Sequence, residues 1–368
     1  MTEDGAARGF EGWLDQAGRQ AAARRRARRA FDFTSPEAFA ASQAALRAEL
    51  RAVLRLDQAP PPAARPPRLG PAAAGSSWRT LTIEPWVGAR FEALTLLPQG
   101  APAVLLCGGL DDTPELALRP GGSLAELARR LAAAGLGLIV PKLPAGWRAR
   151  LRLARKARLL GFEWLGLEVL ALSRLLDAAE GLAAPATWGL AGFSRGGQAA
   201  LLLAALDPRP AATAVAAWFG DRDARLLDGG DARLAAFIDS PEDEQFVPDW
   251  LPRFSDLELA ALVAPRALWL GSGLDDPIVA FEQAETAFET VAATYERLGW
   301  PERAELDLFP GGHELPAAAV AEFLLGSLGR RSESLDFDLS IPAPDRRPRP
   351  KPRLSRGAQG RRRRARGW

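Results

Sequence analysis

Thr187-Trp-Gly-Leu-Ala-Gly-Phe-Ser-Arg-Gly-Gly-Gln198 is the stretch that decides the fold. It starts as a short apolar run, typical of a buried strand, and leads into Gly197–Leu206, an alanine- and leucine-rich run typical of a buried helix. Gly192-x-Ser194-x-Gly196 lies between the two. Because glycine permits close backbone approach, this spacing predicts a sharp strand–turn–helix that raises the serine above the sheet. The alternative interpretation is an incidental serine in a glycine-rich loop.

Strand and helix patterns alternate on both sides of this turn. The predicted strands are Arg79–Ile83, Phe91–Leu96, Ala103–Cys107, Gly137–Val140, Thr213–Ala217, Arg266–Leu270 and Glu305–Phe309. The predicted helices are Ser123–Ala134, Phe162–Leu182 and a stripe from Ala284 to Leu298. Such alternation predicts an α/β fold with a mostly parallel central sheet and helices on both faces.

The 368 residues are enough for one large α/β domain with extensions. Residues 1–77 are interpreted as a helical extension, with a helix over Arg8–Ala30 and another capped by Ser35, followed by a linker rich in Pro and Ala. Residues 78–330 form the predicted domain. An acidic insertion at about 220–252 stands where a short cap over the site is expected. Residues 331–368 are expected to be a basic, disordered tail.

Charge is unevenly distributed along the chain. The formal net charge is +2, but Ile341–Trp368 carries ten arginines and Lys351 against Asp345, which is +10 and leaves −8 for the remainder. We therefore do not expect the folded part to bind nucleic acid. The cluster Arg24–Arg29 is interpreted as a solvated helix face, with polyanion binding as the alternative.

Cysteine content and hydropathy suggest where the protein works. The single cysteine, Cys107, excludes an intramolecular disulfide and is typical of a reducing compartment. No apolar run reaches the 18 to 20 residues, roughly, that a membrane span needs. We recognise no secretion signal, and the expected location is the cytoplasm.

A serine hydroxyl needs a base to act as a nucleophile, and the base needs a carboxylate to orient it. The only histidine is His313, in a glycine-rich loop after the last predicted strand. Asp275 and Asp276 both follow the strand Arg266–Leu270, and we favour Asp276 for its spacing from Gly273 and the proline after it. The chain order Ser194, Asp276, His313 is then consistent with a catalytic triad.

Backbone N–H groups should stabilise the oxyanion that forms during acyl transfer. The N–H of Arg195, which follows the serine, is one predicted donor, and the N–H of Gly109 in the loop after Ala103–Cys107 is the other. Cys107 is discounted as a nucleophile because it ends a buried strand and no second histidine could serve it. No metal or cofactor is predicted.

These motifs resemble the α/β-hydrolase superfamily, and within it the branch of dienelactone hydrolases and acetyl xylan esterases. The resemblance rests on the Gly192–Gln198 turn, the Ala264-Pro-Arg266 strand entry and the two loops that carry Asp276 and His313. It covers roughly Trp78–Leu328 and implies a serine carboxylesterase without cofactors. Two departures stand out: Cys107-Gly precedes the oxyanion loop where many relatives have His-Gly, and Ser194 replaces the cysteine of dienelactone hydrolases proper.

Three functions remain open from the sequence. The first is hydrolysis of short-acyl or small-alcohol esters, in a modest pocket walled by Trp218, Phe219 and Trp250, unless these aromatics belong to the core. The second keeps the triad but makes the chain an acyltransferase, thioesterase or peptidase. The third is a scaffold that the basic tail tethers to anionic partners, including nucleic acid. Oligomeric state is not indicated.

Overall fold

The computed structural model describes residues 3–28, 31–72, 76–227, 238 and 240–329. The strands are β1 (Arg68–Ala72), β2 (Arg79–Trp86), β3 (Ala89–Leu96), β4 (Ala103–Cys107), β5 (Gly137–Pro141), β6 (Trp188–Phe193), β7 (Pro210–Ala216), β8 (Ala267–Gly273) and β9 (Ala304–Phe309). They form one sheet in the order β1-β2-β3-β5-β4-β6-β7-β8-β9. The pairs from β5 to β9 are parallel, and β1, β2 and β3 add an antiparallel edge.

Helices cover both faces of this sheet. They are α1 (Glu3–Arg28), α2 (Pro36–Val53), α3 (Pro114–Ala117), α4 (Ser123–Ala133), α5 (Trp147–Leu159), α6 (Trp164–Ala183), α7 (Arg195–Leu206), α8 (Arg222–Leu227), α9 (Trp250–Arg253), α10 (Asp256–Val263), α11 (Phe281–Arg297) and α12 (Ala317–Ser327). The predicted mostly parallel sheet with helices on both faces is confirmed. No helix in the described ranges is long and apolar enough to cross a bilayer.

Strand β4 shows why both faces need cover. Its five residues are all buried, and successive side chains of a strand point to opposite faces. Leu105 and Cys107 accordingly join a core with α6 and α7, whereas Val104 and Leu106 join a second core with α4 and α12. Because the strand is apolar at every position, it is stable only in the middle of a covered sheet.

The N-terminal extension packs onto the domain. Helix α2 starts as predicted, with the Ser35 hydroxyl accepting a hydrogen bond from the Ala38 N–H at 3.1 Å and proline at the first position. Gln43 of α2 is buried and donates to the carbonyls of Ala261 and Ala264 at 3.0 and 2.7 Å. The predicted linker contains β1, which its proline-rich composition did not indicate.

The described parts of the predicted cap region pack against the helix that follows Ser194. In its described parts it contains α8, a 3-10 turn at Asp243–Gln245 and α9. Residues 228–237 and 239 of the predicted cap, and the whole predicted tail 331–368, lie outside the described residues. The two Gln side chains Gln198 of α7 and Gln245 of the 3-10 turn donate to one another at 2.7 and 2.9 Å, which fixes the turn on the helix that follows Ser194.

Candidate active site

Ser194 occupies the bend between β6 and α7. Its backbone has φ 53° and ψ −122°, a strained conformation that non-glycine residues adopt at functional sites. The Ser194 N–H donates to the Ala216 carbonyl at 2.8 Å, which ties the bend to β7. A Cβ on Gly192 would overlap the backbone of Gly196, and one on Gly196 would overlap the carbonyls of Cys107 and Gly108. The two glycines are therefore needed for the close packing that the motif predicts.

In the predicted triad, the imidazole of His313 lies within hydrogen-bond distance of both Ser194 and Asp276. His313 Nε2 is 2.8 Å from Ser194 Oγ, and His313 Nδ1 is 2.9 Å from Asp276 Oδ2. With Nδ1–H donating to the carboxylate, Nε2 is left to accept the serine proton. The ring of Phe193 packs against the imidazole, with centroids 5.1 Å apart. Asp276 lies 82 residues after Ser194 in the chain and His313 lies 119 residues after it, yet the three meet at the carboxyl ends of the strands.

Asp276 is held as a carboxylate. Its side chain is buried, and burial by itself would raise its pKa. The His313 hydrogen bond and the N–H groups of Val279 and Ile278, which donate to Oδ1 at 3.0 and 2.7 Å, more than offset this and lower the pKa below its ordinary value of 3.8. The negative charge needed to orient and stabilise an imidazolium is present at neutral pH.

The alternatives considered for the triad occupy other positions. Asp275 is exposed, and its N–H donates to the Gly311 carbonyl at 2.9 Å. Cys107 is fully buried, and burial raises the pKa of its thiol, so the thiolate that a nucleophile requires is disfavoured. Geometry therefore favours Asp276 over Asp275, and Ser194 over Cys107.

The two predicted oxyanion donors differ in whether their N–H group is already hydrogen-bonded. Arg195 begins α7, and the first N–H groups of a helix have no partner within the helix, so its N–H is available at the site. The Gly109 N–H donates to Asp112 Oδ2 at 2.7 Å. In this structure, a carboxylate oxygen therefore takes the bond that Gly109 would offer to an oxyanion. The next N–H, that of Leu110, has no acceptor among the residues described.

A cluster of four buried charged side chains lies beneath the bend. Arg150 of α5 pairs with Glu168 of α6 and with Glu244 of the 3-10 turn, and Arg195 contacts the same two carboxylates at 3.2 and 3.6 Å. Burial alone would raise the pKa of Glu168, but the two arginines hold it below its ordinary value. Removing one member would leave a buried charge unpaired, so the cluster fixes the cap turn and α7 together.

A cavity of about 540 Å³ opens at Ser194. Phe193, Trp218, Ile278 and Val279 provide apolar surface, and His313 and Ser194 lie at its floor. The polar side chains on its wall are Asp111, Asp112, Arg195, Arg225, Ser240, Glu242 and Gln245. A mixed wall of this kind suits a small molecule with both apolar and hydrogen-bonding parts.

Of the three aromatic residues predicted as pocket walls, only Trp218 lines the cavity. Phe219 and Trp250 are 2% exposed and belong to the core. Sequence reasoning missed Arg225, Glu242 and Gln245 because they lie in a segment without periodicity, where nothing marks which side chains turn inward. It also missed the charged cluster beneath the bend, because nothing in the sequence distinguishes a buried Arg or Glu from an exposed one.

In the described residues no three His, Cys, Asp or Glu side chains are grouped so as to hold a metal ion. The predicted triad accounts for the histidine, and Cys107 faces the core.

No family model and no curated protein matches the sequence. Solved structures do match the fold. The methylesterase BT1017 superimposes with a TM-score of 0.62 and 20% identity, over 86% of this chain and 69% of that one. A glucuronoyl esterase from Solibacter usitatus gives 0.57 and 17%, over 80% and 94% of the two chains.

Acetyl xylan esterase 1 from Thermoanaerobacterium gives a TM-score of 0.54 at 16% identity, over 77% of this chain and 93% of that one. The chain has the α/β-hydrolase fold. At these identities the likeness concerns the fold alone. In the α/β-hydrolase fold, as in open α/β sheets generally, sites lie at the carboxyl ends of the strands, where Ser194, Asp276 and His313 meet.

Proposed function

We propose that the chain is a serine hydrolase of carboxylic esters. The observation that carries this proposal is the continuous hydrogen-bonded chain from Ser194 Oγ through His313 to Asp276, at the floor of a cavity large enough for a small substrate. The fold is shared with solved esterases, which supports the same reaction type. The scaffold hypothesis has no comparable support, since a binding protein would not need a strained, hydrogen-bonded serine.

The reaction follows from the roles of the three side chains. Ser194 Oγ attacks the acyl carbon while His313 Nε2 takes its proton. The imidazolium then passes that proton to the departing alcohol, and the acyl group stays on the serine. Water attacks the acyl-enzyme with the same imidazole as base, which releases the acid and restores Ser194. Asp276 holds the ring in the required tautomer and offsets its charge.

Charge on the carbonyl oxygen grows in both tetrahedral intermediates. We propose that the N–H groups of Arg195 and Gly109 stabilise it, the second after the Asp112 carboxylate has moved from Gly109. Such donors act at the moment when charge develops, and losing one costs about 2.7 to 4 kcal/mol of transition-state stabilisation. No cofactor or metal is required by this scheme.

The wall of the cavity supports a proposal for the substrate class. Arg225 and Glu242 offer donors and acceptors beside apolar Trp218 and Ile278, whereas the Gln245 amide is engaged by Gln198. We propose an ester with a short acyl group or a small alcohol, whose other half carries hydroxyl groups, the chemistry expected of a modified sugar. Solved structures with the same fold include esterases of carbohydrates, as their names state.

Hydrolysis of a panel of esters tests this proposal. The panel contains methyl acetate, acetylated monosaccharides, methyl uronates and the thioester and amide analogues of acetate. We expect turnover of the sugar esters above that of methyl acetate, and none of the amide. Turnover of no ester would overturn the proposed function, and preference for the thioester would replace it with a thioesterase. If the acyl group appears as a new ester with an added alcohol instead of as free acid, the reaction is acyl transfer.

A further inference from the structure

The basic cluster of α1 does not simply face solvent. Arg25 is 2% exposed, and its guanidinium is enclosed by the cap region. It pairs with both carboxylate oxygens of Asp223 and donates to the carbonyls of Leu251 and Phe254, each at 2.7 Å. Glu258 lies 3.8 Å from its Nε. A buried arginine whose two Nη groups bind two backbone carbonyls and both oxygens of a carboxylate makes a specific contact, so Arg25 fixes one place for α1 on the cap.

Asp223 belongs to α8, a helix too short to be stable by itself. The position of α8 must therefore be set by the contacts of its side chains. The preceding residue, Arg222, donates to Asp256 at 3.0 Å and to the Gln245 carbonyl at 3.1 Å, and its guanidinium lies 4.4 Å from the centre of the Trp250 ring. Helix α8 is therefore held on one side by α1 and on the other by the core of the cap.

The same helix forms part of the cavity wall. Arg225, two residues after Asp223, lines the cavity beside Trp218 and Gln245. Among the described residues, the hydrogen bonds of Arg225 go to Gln283 at 3.3 Å and to the Trp218 carbonyl at 3.4 Å, and such long bonds do not hold α8 in place by themselves. The buried contact between α1 and this wall is the ion pair of Arg25 with Asp223.

We propose that Arg25 is a positioning residue for the substrate cavity, and that α1 thereby acts as a strap that sets which alcohols the enzyme accepts. The kinetic part of this inference rests on the proposed esterase function. Arg25 does not touch the triad, which is placed by β6, β8 and β9. Its removal loosens the cavity wall at Arg225 and Trp218 while leaving the reacting atoms in place.

Neighbouring arginines of α1 do not replace Arg25. Arg26 reaches Asp223 at 3.3 Å but its side chain is 59% exposed, and Arg19 and Arg28 donate to the Leu227 and Pro252 carbonyls at the surface. Exposed contacts of this kind contribute little to the free energy of folding. Arg24 is exposed on the same turn of α1, which makes it a matched control.

The test compares Arg25→Gln, Asp223→Asn and their double variant with Arg24→Gln, in the full chain. Kinetics are measured on methyl acetate, whose alcohol part is a single carbon, and on 4-nitrobenzyl acetate, whose alcohol part is much larger and tests the wall of the cavity. We expect Arg25→Gln and Asp223→Asn each to raise KM for 4-nitrobenzyl acetate about tenfold, with kcat and the methyl acetate KM within about twofold of wild type. The double variant should add nothing further, and Arg24→Gln should match wild type.

A purely structural role gives a different result. It would lower the melting temperature and leave the ratio of the two KM values unchanged, which would overturn the inference. If Arg25→Gln does not fold, Arg25→Lys is used instead, because it keeps the charge but cannot bind both carboxylate oxygens as a guanidinium does. It should raise KM for 4-nitrobenzyl acetate about threefold. An unchanged KM would overturn the inference.

Hydrogen exchange of α8 gives a readout that does not need activity. Amides of Arg222–Leu227 should exchange faster in Arg25→Gln than in Arg24→Gln. If wild type hydrolyses neither ester, the proposed function fails, but faster exchange in Arg25→Gln alone would still support the strap. Equal exchange in the two variants would overturn it.

Discussion

Replacing Asp276 by asparagine separates the two tasks of this side chain. Oδ1 accepts the Ile278 and Val279 N–H groups, and Oδ2 faces His313 Nδ1 at 2.9 Å. In Asp276→Asn the amide oxygen can keep the two backbone bonds, so the loop should retain its shape. The amide NH₂ then points at Nδ1, which must accept instead of donate. The imidazole proton moves to Nε2, and Nε2 can no longer take the proton of Ser194.

The size of the effect follows from this change of tautomer. In a serine hydrolase with the same arrangement, an aspartate-to-asparagine change lowers kcat about 10⁴-fold. At about 1.36 kcal/mol for each factor of ten, this is roughly 5.4 kcal/mol of transition-state stabilisation. We expect a loss of that order for Asp276→Asn, with KM within a few-fold of wild type because the cavity wall is unchanged.

Steady-state hydrolysis of p-nitrophenyl acetate measures this loss, and urea unfolding checks that the fold persists. Asp275→Asn is the matched control, since the exposed neighbouring carboxylate makes no contact with His313, and it should retain wild-type kcat. Activity of Asp276→Asn above about one tenth of wild type would refute the reasoning, as would a loss that appears in Asp275→Asn instead.

Three further predictions concern the same site. His313→Ala should lower kcat by about 10⁴-fold or more with little change in unfolding midpoint, measured with p-nitrophenyl acetate; turnover within tenfold of wild type would contradict the role of the imidazole. Because the pKa of Asp276 lies below 3.8, its charge stabilises the fold above that pH and the gain is lost as pH falls through the folded-state pKa. The difference in unfolding free energy between wild type and Asp276→Asn, followed by urea unfolding from pH 7 to 3, should therefore shrink only below about pH 4; a constant difference would contradict this. Asp112→Ala frees the Gly109 N–H while the turn keeps the backbone bond from the Asp112 N–H to the Gly109 carbonyl, so kcat on p-nitrophenyl acetate should rise about three- to tenfold; an unchanged or lower kcat would contradict the donor role of Gly109.

Much of the fold could be predicted from the sequence because its central strands are uniformly apolar and its turns carry glycine. The strand Ala103–Cys107 was predicted with the bounds the structure has. Strand β1 was not predicted, since a proline in Arg68–Ala72 argues against a strand, and only pairing with β2 at the edge of the sheet makes it one. Helix α5 was missed because its arginines mask a narrow buried face formed by Arg150, Ala154 and Ala157.

The three proposed triad residues could be predicted for a different reason. Chemistry limits the choice to one histidine, and the chain order of the superfamily then points to the aspartate. The engagement of Gly109 by Asp112 could not be predicted, because it depends on how a four-residue turn closes. Nor could the burial of Arg25, since a run of arginines on a helix is usually a solvated face, and only the position of Asp223, nearly 200 residues later, decides otherwise. The cytoplasmic location and the role of the tail stay predictions.

The identity of the nucleophile is the central claim, and covalent labelling tests it most directly. The protein is incubated with a fluorophosphonate, digested, and the modified residue is located by mass spectrometry. The account predicts a single phosphonylated serine at position 194, formed much more slowly in His313→Ala and absent in Ser194→Ala. Labelling at another residue, or an unmodified Ser194 in a protein that hydrolyses esters, would contradict it.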